Sequence, residues 1–252
     1  MTVVGVVHPG EMGAAVAGTL RGHEVLWASA GRSAATAARA REACLEDAGD
    51  VGELCRRCEI LLSICPPHAA VDVARTASGF MGIYVDANAI APDTARTIAG
   101  LQPRLVDGGI VGPPPAQSGT TRLYLSGGEA DRIAALFAGT NLAARVIAAE
   151  AGAASALKIA YAGWTKGSAA LLLTVRELAR AEGVEDGLLD EWRLSIPELE
   201  ARLAGAERSA HRKGWRWIGE MVEIAQSMAA QNLPTGFHEA AAEVYRRAAE
   251  ES

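Results

Sequence analysis

The chain has 252 residues, room for about 1.7 domains at roughly 150 residues each. Half of its residues are hydrophobic, 21% are charged and the mean hydropathy is +0.11, which excludes a disordered or low-complexity chain. A net charge of −6 argues against a nucleic-acid or anionic-membrane surface, since phosphate binding needs clustered Lys and Arg.

In chain order, Met1 to His8 is a β-branched run that reads as a strand covered on both faces. Pro9 to Gly13 breaks it, helix formers resume from Ala14 to Leu20, and Glu24 to Ala28 is again strand-like, completing a βαβ unit. Helices are predicted over 33–43, 51–57 and from 68, with strands at Ile60–Cys65, Gly82–Asp86, Arg104–Asp107, Arg122–Ser126 and Ala144–Ile147. Such alternation predicts a parallel sheet wound on both faces. From about Glu150 no strand-like run remains, and apolar residues recur at helical spacing through Ala156–Leu178, Leu188–Leu203, Trp215–Met228 and His238–Tyr245. The expected fold is therefore α/β, a doubly wound Rossmann domain over residues 1–150 followed by an all-α domain over 151–252. A helical part of this size buries its apolar face poorly alone, so a homodimer is expected.

Apolar runs such as Ala169–Val175 fall short of the roughly 20 residues of a membrane span. With no basic leader at the N-terminus, a cytoplasmic protein without a membrane partner is expected. The four cysteines all lie in the first quarter, and Cys55-Arg-Arg-Cys58 lacks a second ligand pair, so buried reduced thiols are expected and no metal site.

The first turn reads His8-Pro-Gly10-Glu11-Met12-Gly13. Against the dinucleotide fingerprint G-x-G-x-x-G, the second and third glycines are present and His8 replaces the first. The second glycine lets backbone approach a pyrophosphate and the third lets helix pack on strand, with phosphate at the helix N-terminus. Two readings stand for His8: a group facing the phosphates, or a side chain that merely fits the turn. After the second strand no acid is available for a ribose 2′-hydroxyl. Arg32, flanked by Ser29 and Ser33, instead suits a 2′-phosphate, so NADP (NADPH) is the expected cofactor. The plainer alternative is that Ser33 caps the next helix and Arg32 is solvated.

With Gly10-Glu11-Met12-Gly13, Ser63-Ile-Cys-Pro-Pro67, Asp86-Ala-Asn88-Ala-Ile-Ala-Pro92, Asp107-Gly-Gly-Ile-Val-Gly112 and Gly152 followed by Lys158, the chain resembles the β-hydroxyacid dehydrogenase and 6-phosphogluconate dehydrogenase superfamily. The C-terminal part is similar to the helical domain of uncharacterised function on phosphogluconate-dehydrogenase-like proteins. The resemblance implies an NADP-dependent oxidoreductase acting on a small carbonyl or alcohol. It implies that Cys65, Pro66 and Pro67 lie along the cofactor, that Asn88 approaches the nicotinamide ribose, and that Lys158 exchanges the proton of the reacting oxygen.

Two departures stand out. The family's asparagine four residues after the lysine is Ala162 here, and Tyr161 and Thr165, on the same helical face as Lys158, are candidates to replace it. The family's carboxylate-binding loop corresponds to Gly108, Gly109, Ile110 and Val111, without a hydroxyl and ending near Pro113. That apolar loop resembles imine reductases, which act on C=N, so this activity is the enzymic alternative. A non-catalytic NADP-binding protein is the other. Trp217 and His238, with the cluster around His211, are read either as substrate contacts or as a dimer core.

Overall fold

The computed structural model describes residues 1–250 and comprises two compact units, Met1–Lys158 and the remainder from Ile159. The first is an eight-stranded sheet in the order β3-β2-β1-β4-β5-β6-β7-β8. Its strands are β1 (Val3–Val6), β2 (Glu24–Trp27), β3 (Glu46–Asp47), β4 (Ile60–Ser63), β5 (Ile83–Asp86), β6 (Leu105–Val111), β7 (Thr121–Ser126) and β8 (Leu142–Ala148). Between them run α1 (Glu11–Ala17), α2 (Ala34–Glu42), α3 (Val51–Arg57), α4 (Ala70–Thr76), α5 (Pro92–Leu101) and α6 (Ala130–Leu136).

The central strands are apolar because both faces are covered. Alternate residues serve opposite faces: Val4, Val6, Leu62 and Val85 pack with Val16 and Ile133, whereas Leu61 and Tyr84 pack with Leu54, Val73 and Ile98. Strand order reverses between β1 and β4, the switch point at which open α/β sheets hold ligands outside the carboxyl ends of the strands.

The sheet is not wholly parallel. β7 runs antiparallel to β6, because the intervening residues 112–120 are too few for the crossover of about a dozen residues that a parallel pair needs. β6 also continues to Val111, so the segment expected to be a substrate loop is a paired strand with Gly109 opposite Tyr124 and Val111 opposite Arg122.

The second unit is helical: α7 (Ala153–Ala181, beginning in the first unit), α8 (Glu185–Ser195), α9 (Glu198–Ala230) and α10 (Gly236–Glu250). The apolar run over 188–203 does not form one helix. Pro197 disfavours helix at the residue before it and starts a new one, so α8 ends and α9 begins there. α9 then continues unbroken through the Trp215–Met228 segment. Among the described residues, no helix is long and apolar enough to cross a membrane.

The helical core is built from Ala162, Ala170, Ala210, Met221, Ile224, Ala241 and Tyr245. Within it Lys166 on α7 pairs with Glu220 on α9, and its ammonium lies 5.2 Å from the Trp217 ring centroid. The Tyr245 hydroxyl donates to the Lys166 carbonyl at 2.6 Å, and Trp217 meets Tyr245 edge-on with centroids 5.0 Å apart. Burial lowers the Lys166 pKa against the opposing pull of Glu220, so the amine depends on that carboxylate for compensation.

Removing one member of a buried pair strands the other charge, whereas replacing both with apolar groups is far milder. Glu220→Ala is therefore expected to lower stability by about 3–5 kcal/mol, and the double substitution Lys166→Met with Glu220→Leu to recover most of it. Urea unfolding of the three proteins checks this; equal losses in single and double variants would contradict it.

Candidate functional site

The sheet register assembles the site. Ser63 on β4 pairs in register with Asp86 on β5, Asp86 with Asp107 on β6, and Asp107 with Ser126 on β7. All four residues are fully buried, so a polar row with two neighbouring carboxylates crosses the middle of an otherwise apolar sheet. Buried carboxylates need donors, and each of these two recruits a different segment.

Asp107 holds the start of α7. One of its oxygens accepts from the Gly152 N–H at 2.9 Å, the Ser155 N–H at 3.0 Å and the Ser126 hydroxyl at 3.0 Å, and the other accepts from the Ser155 hydroxyl at 2.5 Å. Ser126 Oγ in turn accepts from the Ala154 N–H at 3.0 Å. A carboxylate at a helix N-terminus satisfies free N–H groups and opposes the helix dipole. This seating presses α7 onto β6 at Gly109, where a Cβ would come within 2.8 Å of the Ala154 carbonyl oxygen and 3.0 Å of the Lys158 Cβ. Lys158, half-buried, is thus placed two turns into α7 directly against β6.

Asp86 holds the turn after β4. It accepts from the Asn88 N–H at 3.1 Å and from Asn88 Nδ2 at 2.8 Å, while Asn88 Oδ1 accepts from the Cys65 N–H at 2.5 Å. Burial raises the Asp86 pKa to about 7, the Asn88 bonds oppose that shift, and the Asp107 charge adds to it. With its amide also reaching Ser63 Oγ at 3.3 Å, Asn88 spends its side chain inside the protein. Those bonds shape the Cys65-Pro66-Pro67 turn. The Cys65 thiol is pushed up to about 12 by burial, then by Asp86, so it is not a nucleophile.

The first turn is shaped by close approach. A Cβ on Gly13 would lie 2.3 Å from the His8 carbonyl oxygen, whereas one on Gly10 would meet nothing within 4 Å. Gly13 therefore seats α1 on β1, and Gly10 leaves open space before a helix that no side chain caps. Met12 packs against the core and Glu11 is exposed. His8 and Arg32, which follow β1 and β2, bring together two buried polar atoms without partners, His8 Nδ1 and Arg32 Nε. Burial and the Arg32 charge lower the His8 pKa to about 4, so the imidazole is neutral. Burial lowers the Arg32 pKa, partly offset by Cys65, which places Arg32 near the Cys65 turn. Orphaned buried donors are ordinarily met by something, and a dinucleotide's phosphates fit this set. Both serines engage backbone groups: Ser33 caps α2 by accepting from the Thr36 N–H at 3.3 Å, and Ser29 Oγ lies 3.4 Å from the Gly49 carbonyl oxygen.

Other predicted contacts have different duties. Ile110 and Val111 are buried, Ile110 in the main core. Thr165 donates to the Tyr161 carbonyl of its own helix at 3.0 Å. His238 is buried with Nε2 3.3 Å from the Gly163 carbonyl oxygen, and Trp217 packs on Tyr245, so both belong to the helical core rather than to a substrate surface. Tyr161 is exposed. A separate groove of about 860 Å³, between α1, α2 and residues 114–116 and 138–141, shares only Glu11 with the candidate set. Among the described residues no His, Cys, Asp or Glu cluster suits a metal ion, and the four cysteines are free thiols.

The residues that sequence reasoning missed are Asp86 and Asp107 as anchors, with Ser63, Ser126 and Ser155. The available signal was an acid closing the apolar run at the end of β5, Ile83-Tyr-Val-Asp86, and near the start of β6, Leu105-Val-Asp107.

Comparison with known proteins follows this geometry. Residues 179–248 match the family model described as a domain of unknown function, DUF1932. An uncharacterized 28.5 kDa protein in the 7S RNA 5′ region of Methanothermus fervidus is 27% identical over 209 residues, 81% of each chain. A solved conserved protein of unknown function, described as structurally similar to 3-hydroxyacid dehydrogenases, superposes with a TM-score of 0.77 at 26% identity, over 98% of this chain and 97% of that one. Mycobacterium tuberculosis 3-hydroxyisobutyrate dehydrogenase with L-serine gives 0.73 at 16% identity, over 100% and 94%. An Aspergillus terreus reductive aminase with NADPH and ethyl levulinate gives 0.62 at 20%, over 100% and 95%. The last two are likenesses of fold.

The contact of α7 with Gly109 leaves no room for a side chain. Gly109→Ala forces a methyl into backbone and is expected to lower stability by about 1–3 kcal/mol. Thermal unfolding measures this, and an unchanged midpoint would show that α7 is not seated there.

Proposed function

We propose that this chain, which has the fold of 3-hydroxyacid dehydrogenases and imine reductases and a DUF1932 C-terminal region, is an NADP-dependent oxidoreductase of a small carbonyl or alcohol. The observation that carries the reading is the seating of Lys158 against β6 through Asp107, together with a switch-point turn where the buried polar atoms His8 Nδ1 and Arg32 Nε lack partners among the described residues. NADPH in the reductive aminase neighbour supports the cofactor class.

The chain's own groups divide the work. The Gly10–Gly13 turn and the uncapped start of α1 receive a pyrophosphate, and the Arg32 guanidinium, which is not paired with a carboxylate among the described residues, holds a 2′-phosphate. The turn at Cys65 to Pro67, shaped by Asn88, borders the cofactor. A bound nicotinamide supplies or accepts the hydride. Lys158 gives or takes the proton of the reacting oxygen, and Tyr161, three residues further along α7, is the hydroxyl assigned to assist it.

The C=N alternative rests on one specific observation. Gly108 to Val111 is a buried strand that contributes no hydroxyl, so a substrate carboxylate has no anchor on it. Purified protein assayed with NADPH and NADH over hydroxy acids, sugar acids, ketones and cyclic imines separates the readings. The expectation is turnover with NADPH preferred, erosion of that preference in Arg32→Ala, and a loss of about 10²–10⁴ in kcat for Lys158→Met with NADPH binding retained. Preference for NADH would overturn the NADP assignment. Tight NADPH binding without turnover on any of these would favour a non-catalytic NADP-binding protein.

A cytoplasmic homodimer completes the proposal. On α7, Tyr161, Trp164, Leu171, Val175 and Leu178 recur at alternating offsets of three and four, through Ser168, and are exposed by 36–69%. This is the spacing of a helix–helix seam, and an apolar stripe of this length in water calls for a partner. A second copy supplies one by symmetry. Leu171→Lys is expected to yield monomers in sedimentation velocity; an unaltered dimer, or a monomeric parent protein, would refute the seam.

A further inference from the structure

Asp86 and Asp107 are neighbours in register, both fully buried, but differ in what they hold. Asp107 accepts from four donors of β7 and the α7 start. Among the described residues Asp86 accepts from Asn88 alone, and Asn88 passes the constraint on to the Cys65 N–H. We propose that Asp86 is a positioning residue that sets the Cys65-Pro66-Pro67 turn through Asn88, firm when Asp86 is ionised and loose when it is protonated, so that dinucleotide binding at this turn depends on pH. The nature of the ligand rests on the nicotinamide reading above, whereas the switch itself does not.

The chemistry of the amide makes the arrangement two-state. An ionised carboxylate offers only acceptors, so it meets both the Asn88 N–H and Nδ2. A protonated one carries an O–H and loses acceptor capacity toward a neighbour that presents it two donors. Turning the Asn88 amide over to receive that proton would set Nδ2 against the Cys65 N–H, donor to donor. Without that rotation of the amide the weakened bond is the one from Nδ2 to Asp86, which leaves the amide less firmly held against the Cys65 N–H; with it, the Cys65 bond itself is lost.

The titratable and charged groups that face Asp86 come from β6, from its own strand and from the turn after β4. They are Asp107 from β6, Tyr84 on its own strand and Cys65 from the turn, with Arg32 beyond Cys65. Burial raises Tyr84 far above neutrality and takes Cys65 to about 12, while His8 is lowered to about 4. Asp86, raised to about 7, changes charge in between.

The test uses the full-length protein between pH 5.5 and 8.5. Hydrogen exchange at the Cys65 amide, corrected for the intrinsic rate, is measured without cofactor, and the Kd values of NADH and NADPH are measured in parallel. NADH is the decisive probe because a 2′-phosphate itself titrates near pH 6. In the parent protein, Cys65 protection is expected to fall below about pH 7 and the NADH Kd to rise about tenfold, the size of a lost charged hydrogen bond. Asp86→Asn is expected to show the weak Kd at every pH, with KM raised more than kcat is lowered. Should that variant not fold, the parent profile alone decides. Cys65 protection that ignores pH, or an Asp86→Asn protein with parental affinity and pH profile, overturns the inference. Protection that follows pH in a protein that binds neither nucleotide sustains the switch and removes the cofactor reading instead.

Discussion

Two carboxylates side by side in the middle of a sheet are the constraint on which the rest of this structure depends. Asp86 and Asp107 sit on adjacent strands at matching register and are shut off from water. In such surroundings each charge requires donors supplied by the protein. The sheet backbone is already engaged in its own ladder, so apart from the Ser126 hydroxyl of β7 the donors come from segments outside it. One is the chain entering α7; the other is the residue pair just after β5. Satisfying the two acids is therefore what brings the loops at this end of the sheet to defined positions.

The consequences separate along the two acids. Through Gly152, Ser155 and Ser126, Asp107 fixes where α7 starts, and Gly109 allows the helix to lie so close that Lys158 meets β6. Through Asn88, Asp86 fixes the path of the chain leaving β4 at the switch point. Lys158 and the Cys65-to-Pro67 turn are thus placed by one row of buried polar residues that runs across β4 to β7. This arrangement explains why the pattern keeps serine at both ends of the row: Ser63 and Ser126 are small enough to be buried and able to bond each neighbouring group.

Much of the fold was legible because it is written locally. The β-branched runs and the Gly10–Gly13 turn each carry their own signal, and the helix over 51–57 coincides with α3. What was not legible depends on partners far away in sequence. β3 is two exposed residues defined only by pairing with β2. β6 outran its expected end because β7 pairs with Gly108 to Val111, and glycines there look like loop until the approach of Ala154 and Lys158 is known. The site divided in the same way. Gly13, Arg32 and Lys158 stand out as residue types in a local pattern, whereas the bonds of Asn88 to Asp86 and Cys65 needed the fold to be seen. The role of Asp86 required the register of three strands and a fourth contact at Cys65. Trp217 and His238 misled because an aromatic or imidazole near charged residues looks the same in sequence whether it faces a ligand or a core.

The sign of the Asp86 shift also bears on why such a residue is kept. An acid whose pKa is raised on folding, here from an ordinary carboxylate value to about 7, keeps a proton in the native state that the unfolded chain has already shed. Between about pH 4 and pH 7 the native state therefore binds more protons, so stability falls as pH rises through that window, and the full cost stands above it. A neutral or apolar residue at this position would relieve that cost. Nor does packing need the charge, since the neighbouring strand residues Val85 and Val106 bury apolar side chains without difficulty. A destabilising acid held, among the described residues, by a single asparagine belongs among the features that serve the behaviour of a site rather than its stability, and that asparagine leads to the Cys65 turn.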